Sequence, residues 1–149
     1  MSLDDLYKEV ILDHYKAPRN KRPMPESQLS CTRNNPLCGD EITVFARVED
    51  AVITDVAFQG QGCSISQASA SMMTQSVKGR SKAEAQQLFR QFQELVTNQA
   101  SPNGNKEKLG KLTVFSGVSE FPVRVKCATL AWHTLQAALE GTQQPVSTE

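Results

Sequence analysis

The chain has 149 residues and a formal net charge of zero, because 16 basic residues balance 16 acidic ones. That length predicts a single domain over residues 1–141, followed by a disordered tail over 142–149. The charge balance argues against a nucleic-acid or anionic-membrane partner, since such binding requires an excess of Lys and Arg. We find no signal peptide and no apolar run long enough to span a bilayer, and we therefore expect a cytoplasmic protein. Because thiols stay reduced in that compartment, we expect the four cysteines to be metal ligands or reactive thiols rather than disulfides.

The N-terminal part of the chain predicts one amphipathic helix and a loop. Apolar residues recur at helical spacing between Leu3 and Ile11. The pattern ends at Ala17 and Pro18, because proline does not fit a helix interior. The stretch that follows is polar and contains several prolines, which predicts a loop with only a weak signal for a strand before Pro36.

Two stretches of alternating polarity predict an antiparallel β-hairpin. They cover residues 41–49 and 52–59, with a short break at Asp50. Successive side chains of a strand point to opposite faces, so each strand has one face directed at the core. On those faces we expect Ile42, Val44, Ala46 and Val48, and then Val52, Thr54, Val56 and Phe58.

The second half of the chain predicts three helices. Residues 60–62 (Gly-Gln-Gly) are expected to stop the preceding strand, and a polar loop is expected over 98–110. A capping box at Ser81 opens the second helix, and Pro122 is the first residue of the third. The expected helix bounds are 65–79, 82–96 and 122–141. This order predicts a small α+β domain, in which an antiparallel sheet of about three strands carries helices on one face.

Four residues in glycine-rich or helix-start settings have the chemistry of one tetrahedral metal site: Cys38, Asp40, Cys63 and Cys127. The predicted hairpin makes neighbours of Cys38, Asp40 and Cys63, whereas Cys127 must be brought in by packing of the last helix. A helix N-terminus favours thiolate over thiol at Cys63. Zinc and an iron–sulfur cluster both accept such ligands, so these residues leave the metal open.

Other polar residues have more ordinary interpretations. Arg124 and Lys126 lie near the last of these cysteines and are candidates to offset the negative charge of the ligands, or they are ordinary solvated charges. Cys31 lies outside the three motifs and is interpreted as a spare cysteine. His14 and His133 are predicted to be packed or hydrogen-bonded residues at the edge of the core rather than ligands.

Three segments make the chain resemble the IscU/NifU-like family of iron–sulfur cluster assembly proteins over nearly its whole length. They are residues 35–40 (Asn-Pro-Leu-Cys-Gly-Asp), 60–66 (Gly-Gln-Gly-Cys-Ser-Ile-Ser) and 125–132 (Val-Lys-Cys-Ala-Thr-Leu-Ala-Trp). Members of the IscU type have a histidine before the last cysteine, where this chain has Lys126, and lack a segment that it has between the second and third motif cysteines. In both respects the chain resembles the SufU branch of the family.

The resemblance implies an NifU/IscU-like fold and a zinc-bearing sulfurtransferase. A SufS-like, pyridoxal-phosphate-dependent cysteine desulfurase would hand persulfide sulfur to Cys38, and downstream cluster-assembly proteins would receive it. Asp40, Cys63 and Cys127 would hold Zn²⁺, with Cys38 as the fourth ligand at rest. Two alternatives stay open: a scaffold that assembles and donates a transient 2Fe–2S cluster, and a structural zinc domain that only binds other proteins.

Overall fold

In a computed structural model of the protein, the described residues are 3–24, 29–35, 39–97, 112, 114, 115, 118 and 121–140, with backbone only for 3–7. They form four helices and a three-stranded antiparallel sheet. In chain order, the elements are α1 (Leu3–Lys16), β1 (Leu29–Asn35), β2 (Asp40–Glu49), β3 (Val52–Gln61), α2 (Ser64–Val77), α3 (Lys82–Val96) and α4 (Pro122–Leu139). The predicted α+β fold is confirmed. The predicted loop over 98–110 and the predicted tail over 142–149 lie outside the described residues.

The sheet has the order β1-β2-β3, and β1 is a full edge strand where the sequence carries only a weak signal. Six of its seven residues (Leu-Ser-Cys-Thr-Arg-Asn-Asn) are not aliphatic. An edge strand with one partner and one solvent-facing side requires few apolar residues, which explains the weak signal. At its end Asn35 pairs with Asp40, so residues 36–39 connect β1 to β2.

A bulge changes which residues of β3 face the core. The register with β2 shifts by one residue near Thr54. As a result Ile53 is fully buried, whereas Thr54 is exposed. The prediction that Val52 and Thr54 face the core is therefore wrong, while the same prediction for Val56 and Phe58 is confirmed.

The strand β3 continues to Gln61, past the end at which the Gly-Gln-Gly run was expected to stop it. Gly60 lies inside the ladder at a φ of +145°, a conformation that favours glycine. A Cβ at this position would collide with the carbonyl oxygen of Glu41 and lie 3.0 Å from the Cα of Ile42. Glycine therefore permits close approach of β3 to β2 here, and the predicted strand end is wrong.

The helices form a layer on one face of the sheet. α2 packs on β3, α4 packs on β1 and β2, α1 packs on α2, and α3 packs on α4. The predicted capping box opens α3, because Ser81 Oγ accepts from the amide of Glu84 (3.0 Å) and Glu84 Oε1 accepts from the amide of Ser81 (3.1 Å). Pro122 is the first residue of α4, as predicted.

Trp132 on α4 lies in the centre of the apolar core and is fully buried. Its ring stacks on those of Phe92 (5.0 Å between centroids) and Phe89 (6.1 Å). The buried face of β2 consists of Ile42, Val44 and Ala46, with Val48 partly buried against the same cluster. This core fixes α4 over the sheet and so determines where the start of α4 meets β1 and β2. Within the described part of the chain, no helix has the length and apolarity needed to cross a bilayer.

Candidate metal centre

Three of the four predicted ligands meet where β2 begins, β3 ends and α4 passes over the sheet. Asp40 is the first residue of β2, Cys63 is the N-cap of α2, and Cys127 lies in the second turn of α4. One ligand atom from each lies within 4.8 Å of the other two. Asp40 and Cys127 are buried and Cys63 is half-buried. Cys38, the fourth predicted ligand, lies outside the described residues.

The Asp40 carboxylate is fixed by the chain segment that carries Cys63. Its Oδ1 accepts a hydrogen bond from the backbone amide of Cys63 at 2.7 Å, and its Oδ2 lies 3.7 Å from the Cys63 Sγ. The carboxylate is 1% exposed. Among the described residues it forms no ion pair with a Lys or Arg side chain. A buried carboxylate without a cationic partner is costly, and a bound cation would remove that cost.

Gly62 allows the carboxylate to reach this position. Its φ is +155°, and a Cβ on it would overlap Asp40 Oδ1 and lie 2.8 Å from Asp40 Cγ. Any side chain at Gly62 would therefore displace the Asp40 carboxylate. The sequence analysis treats this glycine only as a strand breaker, whereas the structure makes it part of the site.

Cys63 lies at a helix N-terminus, where the sequence analysis places it. Its Sγ accepts a hydrogen bond from the backbone amide of Ser66 at 3.5 Å. A hydrogen bond with Cys127 is the largest effect on the pKa of Cys63, and together with the Ser66 amide it lowers that pKa from 9.0 to about 6. Burial and the negative charge of Asp40 act in the opposite direction. These hydrogen bonds therefore favour the thiolate form of Cys63, the form that binds metals.

Cys127 is held between the sheet and α2. The side-chain amide of Asn35, at the end of β1, donates to the Cys127 Sγ at 3.8 Å. Next along α4, the Ala128 carbonyl accepts from Ser69 Oγ at 2.5 Å, which joins α4 to α2. Asn35 is the first residue of the Asn-Pro-Leu-Cys-Gly-Asp segment, but no local pattern in the sequence predicts its contact with Cys127.

Comparisons with known proteins agree with this arrangement. A family model described as the NifU-like N terminal domain matches residues 6–128. The chain belongs to this family. The zinc-dependent sulfurtransferase SufU of Bacillus subtilis strain 168 is 43% identical over 135 residues, which cover 91% of this chain and 90% of that protein. The iron-sulfur cluster assembly scaffold protein IscU of Streptococcus pyogenes serotype M1 is 41% identical, with 93% and 85% covered.

Solved structures of similar proteins have the same fold. A crystal structure from Fervidobacterium islandicum AW-1 is described as a candidate iron-sulfur cluster assembly scaffold protein for the SUF system. It is 31% identical to this NifU-like domain and superposes with a TM-score of 0.83, covering 93% of this chain and 99% of that chain. The predicted resemblance to the IscU/NifU-like family is confirmed by these comparisons.

The donor set of this NifU-like domain fits zinc. Thiolate and carboxylate are both ligands that zinc accepts in proteins, and with bonds of about 2.0–2.3 Å two tetrahedral ligands lie about 3.4–3.8 Å apart. The Cys63 Sγ and Asp40 Oδ2 are 3.7 Å apart, within that range. Because the three ligand atoms lie within 4.8 Å of one another, small side-chain rotations would complete the contacts. Three ligands leave one position of a tetrahedron for a further group.

The remaining polar residues of the sequence analysis lie around this group rather than in it. The Arg124 guanidinium lies over the Phe121 ring, 4.5 Å from its centroid. Lys126 is half-buried, and within the described part of the chain neither base pairs with Asp40. Cys31 is buried in a separate small apolar cluster on β1 and α4. A role for Arg124 and Lys126 in balancing the charge of the site therefore stays a prediction.

Proposed function

We propose that this protein is a zinc-dependent sulfur acceptor in iron–sulfur cluster assembly, and that Cys38 takes the sulfur. The observation that carries this proposal is the convergence of Asp40, Cys63 and Cys127 on one point from three separate elements. The 43% identity to a zinc-dependent sulfurtransferase supports it. Zinc bound by these residues would keep its thiolate ligands deprotonated at neutral pH.

Chain connectivity keeps Cys38 close to the other three residues. It precedes Asp40 by two residues, and two residues span at most about 7 Å. Asn35 precedes Cys38 by three residues, and the Asn35 carbonyl accepts a hydrogen bond from the Gly39 amide at 2.9 Å. In the sequence, Cys38 lies between the last residue of β1 and the first residue of β2, and this position suits a thiol that must meet a partner.

The proposed reaction is a transfer of one sulfur atom between cysteines. The Cys38 thiolate attacks the outer sulfur of a persulfide on the desulfurase. The sulfur–sulfur bond of that persulfide breaks, a new one forms on Cys38, and the desulfurase cysteine leaves as a thiolate. No electrons are gained or lost overall, so the step requires no separate oxidant or reductant.

The proposed sulfur transfer requires a donor, a recipient and a compartment in which thiols are reduced. The donor would be a pyridoxal-phosphate-dependent, SufS-like cysteine desulfurase, and the recipients would be downstream cluster-assembly proteins. The cytoplasm, in which thiols are kept reduced, is the compartment that suits this chemistry. Arg124 and Lys126, on the first turns of α4, would offset the negative charge of the ligands.

The test is a desulfurase assay with the wild-type protein and two single cysteine variants. Alanine release from L-cysteine is measured with a purified SufS-like desulfurase. We expect Cys38→Ala to abolish the stimulation seen with the wild type. Cys31→Ala is the matched control, because Cys31 is buried against Ala137 and Ala138, and we expect it to stimulate fully. Full stimulation by Cys38→Ala would contradict the proposal.

A second candidate is a scaffold that builds and donates a 2Fe–2S cluster. The 41% identity to a protein named as an IscU scaffold favours it. The same three residues would serve as ligands, because iron–sulfur clusters are held chiefly by thiolates. Anaerobic reconstitution followed by transfer to an apo-ferredoxin tests this function. A cluster that forms only at trace occupancy and cannot be transferred would count against it.

A further inference from the structure

A cleft of about 310 Å³ lies between β1, α3 and α4, and no predicted metal ligand lines it. The polar side chains on its wall are those of Arg33, Gln93, His133, Gln136 and Glu140. Phe89 supplies an apolar surface beside them. Five of the seven residues that line the cleft are polar, and its volume is at the lower end of the range for small-ligand sites.

Arg33 is the unusual residue of this cleft. Its Nε is buried and has no hydrogen-bond partner, and its guanidinium forms no ion pair among the described residues. Buried polar groups of charged side chains are nearly always paired, so this donor requires an explanation. Glu140, the carboxylate on the same wall, accepts instead from Gln136 Nε2 at 3.3 Å.

His133 lines the same cleft, and no hydrogen bond of its ring is seen among the described residues. Its ring meets that of Phe89 edge-on, with centroids 5.0 Å apart and planes at 89°. Burial, and then the positive charge of Arg33, hold the pKa of His133 below its ordinary value of 6.5. The side chains of Arg33 and His133 both line this one cleft. An anion between them would receive hydrogen bonds from both.

We propose that this cleft binds a small oxyanion, namely a carboxylate or phosphate group, through Arg33 and His133. The guanidinium offers two parallel donors that match two oxygens of such a group. Arg33 belongs to β1 and His133 to α4, so the bound anion cross-links the edge strand to that helix. This site is independent of the proposed sulfur transfer, and its test does not depend on zinc or on Cys38.

The experiment is an NMR titration of the full-length, isotope-labelled protein as purified, without added zinc. Potassium phosphate and potassium acetate are added in separate series, with potassium chloride at equal ionic strength as the reference. We expect the Arg33 Nε–H signal and the His133 ring signals to shift and saturate with phosphate or acetate and not with chloride. Shifts that rise linearly and equally in all three salts would overturn the proposal.

Variants separate this cleft from general charge effects. Arg33→Gln should weaken anion binding about tenfold or more, because a charged hydrogen-bond donor is lost. Arg90→Gln is the matched control, since Arg90 is exposed on α3 and does not line the cleft. Saturable binding that survives Arg33→Gln unchanged would contradict the proposal. If Arg33→Gln fails to fold, Arg33→Lys serves, and we expect weaker binding because lysine lacks the two-donor fork.

A third series separates the two sources of such an oxyanion. A tetraglutamate peptide is titrated against the same signals and compared with acetate at equal carboxylate concentration. Tighter saturation with the peptide would assign the oxyanion to an acidic side chain of a protein partner. Tighter saturation with acetate or phosphate would assign it to a free small molecule. No saturation with any of the three would overturn the proposal.

Discussion

Two polar clusters lie on α2, one at its N-terminus and one near its C-terminus, and they are built differently. The N-terminal cluster consists of Cys63 with Asp40 and Cys127. The C-terminal cluster is centred on Ser71 and Thr74, which are both fully buried. Both clusters join α2 to neighbouring parts of the chain. We infer different roles for the two clusters from the charges of their groups.

The C-terminal cluster satisfies itself with short hydrogen bonds between uncharged groups. Ser71 Oγ lies 2.8 Å from His14 Nδ1 and accepts from the amide of Arg19 at 2.8 Å. Thr74 Oγ1 accepts from Asn20 Nδ2 at 3.0 Å. These bonds attach α1 and the segment after it to α2. The cluster is therefore structural, as the sequence analysis expects for His14.

The N-terminal cluster, in contrast, brings together groups that carry negative charge or readily acquire it. Its three candidate ligand atoms, two sulfurs and one carboxylate oxygen, lie within 4.8 Å of one another. A buried set of this kind is stabilised by a cation placed between its members. The two clusters therefore differ in the charge of their groups, and the negatively charged one is the candidate ligand site.

Of the changes considered, metal removal should lower the free energy of unfolding most. If zinc binds only the folded site, as proposed, its removal should lower the free energy of unfolding by about 4 kcal/mol when free zinc was 1,000 times the Kd. The apo protein should still unfold cooperatively, because the core around Trp132 contains none of the ligands. Thermal melts with and without a chelator measure this. Loss of all cooperative unfolding would favour a structural zinc domain.

Gly62→Ala should disrupt the N-terminal cluster and leave the other intact. The new Cβ would overlap the Asp40 carboxylate, so we expect a loss of about 3 kcal/mol in stability. We also expect zinc affinity to fall at least tenfold, because the carboxylate is displaced. Gly79→Ala is the control: its φ is +85° with no atom near the added Cβ, so it should cost about 1 kcal/mol. Equal effects of the two variants on zinc affinity would contradict the role of Gly62.

Ser71→Ala should lower mainly the stability of the protein, whereas Cys63→Ala should lower mainly its zinc affinity. Ser71→Ala removes the partner of the Arg19 amide and of His14, so it should lower stability by about 2 kcal/mol and leave zinc affinity unchanged. Cys63→Ala should abolish tight zinc binding and lower the stability of the apo protein by only about 1 kcal/mol, the loss of an N-cap. Chemical denaturation and a competitive zinc titration measure both quantities. The comparison fails if Ser71→Ala weakens zinc binding as much as Cys63→Ala does.

A third, more exposed polar cluster consists of Asp55 with Arg22 and Lys78. Its loss should change the stability of the protein least. Burial acts to raise the pKa of Asp55, but hydrogen bonds from Arg22 and Lys78 outweigh it and hold that pKa below 3.8. The stabilisation is therefore present above pH 3.8 and is lost as the pH falls through the lowered value. Asp55→Asn should cost below about 1 kcal/mol at pH 7, since all three side chains are partly exposed. Urea denaturation of both proteins should give converging stabilities in acid; a constant difference would contradict this account.

Most of the fold was predictable because its elements have strong local signals. The capping box at Ser81, Pro122 at a helix start and the alternation around Asp50 each correspond to a feature of the structure. The bulge at Thr54 was not predictable, since it depends on how β2 and β3 pair. The edge strand β1 carries a weak signal because its sequence is polar. Local patterns thus predict the elements, and pairing decides their register.

The site was predictable in its ligands and not in their surroundings. Cys63 and Asp40 were expected to be neighbours because a hairpin joins them, and the structure places them in contact. The position of Cys127 depends on packing of α4 against the sheet, which no local pattern determines. The role of Asn35 depends on its contact with Cys127 on α4, and that of Gly62 on its contact with Asp40 on β2, so both appear only in three dimensions.

The most direct test of the central claim is metal and acid-labile sulfide analysis of anaerobically purified protein, combined with zinc X-ray absorption. The account predicts about one zinc per chain, no sulfide, and a first shell of sulfur at about 2.3 Å with one lighter ligand at about 2.0–2.2 Å. The Gly62→Ala protein should contain less zinc per chain than the wild type. Iron and sulfide in equal amounts, or a zinc shell without sulfur, would contradict it.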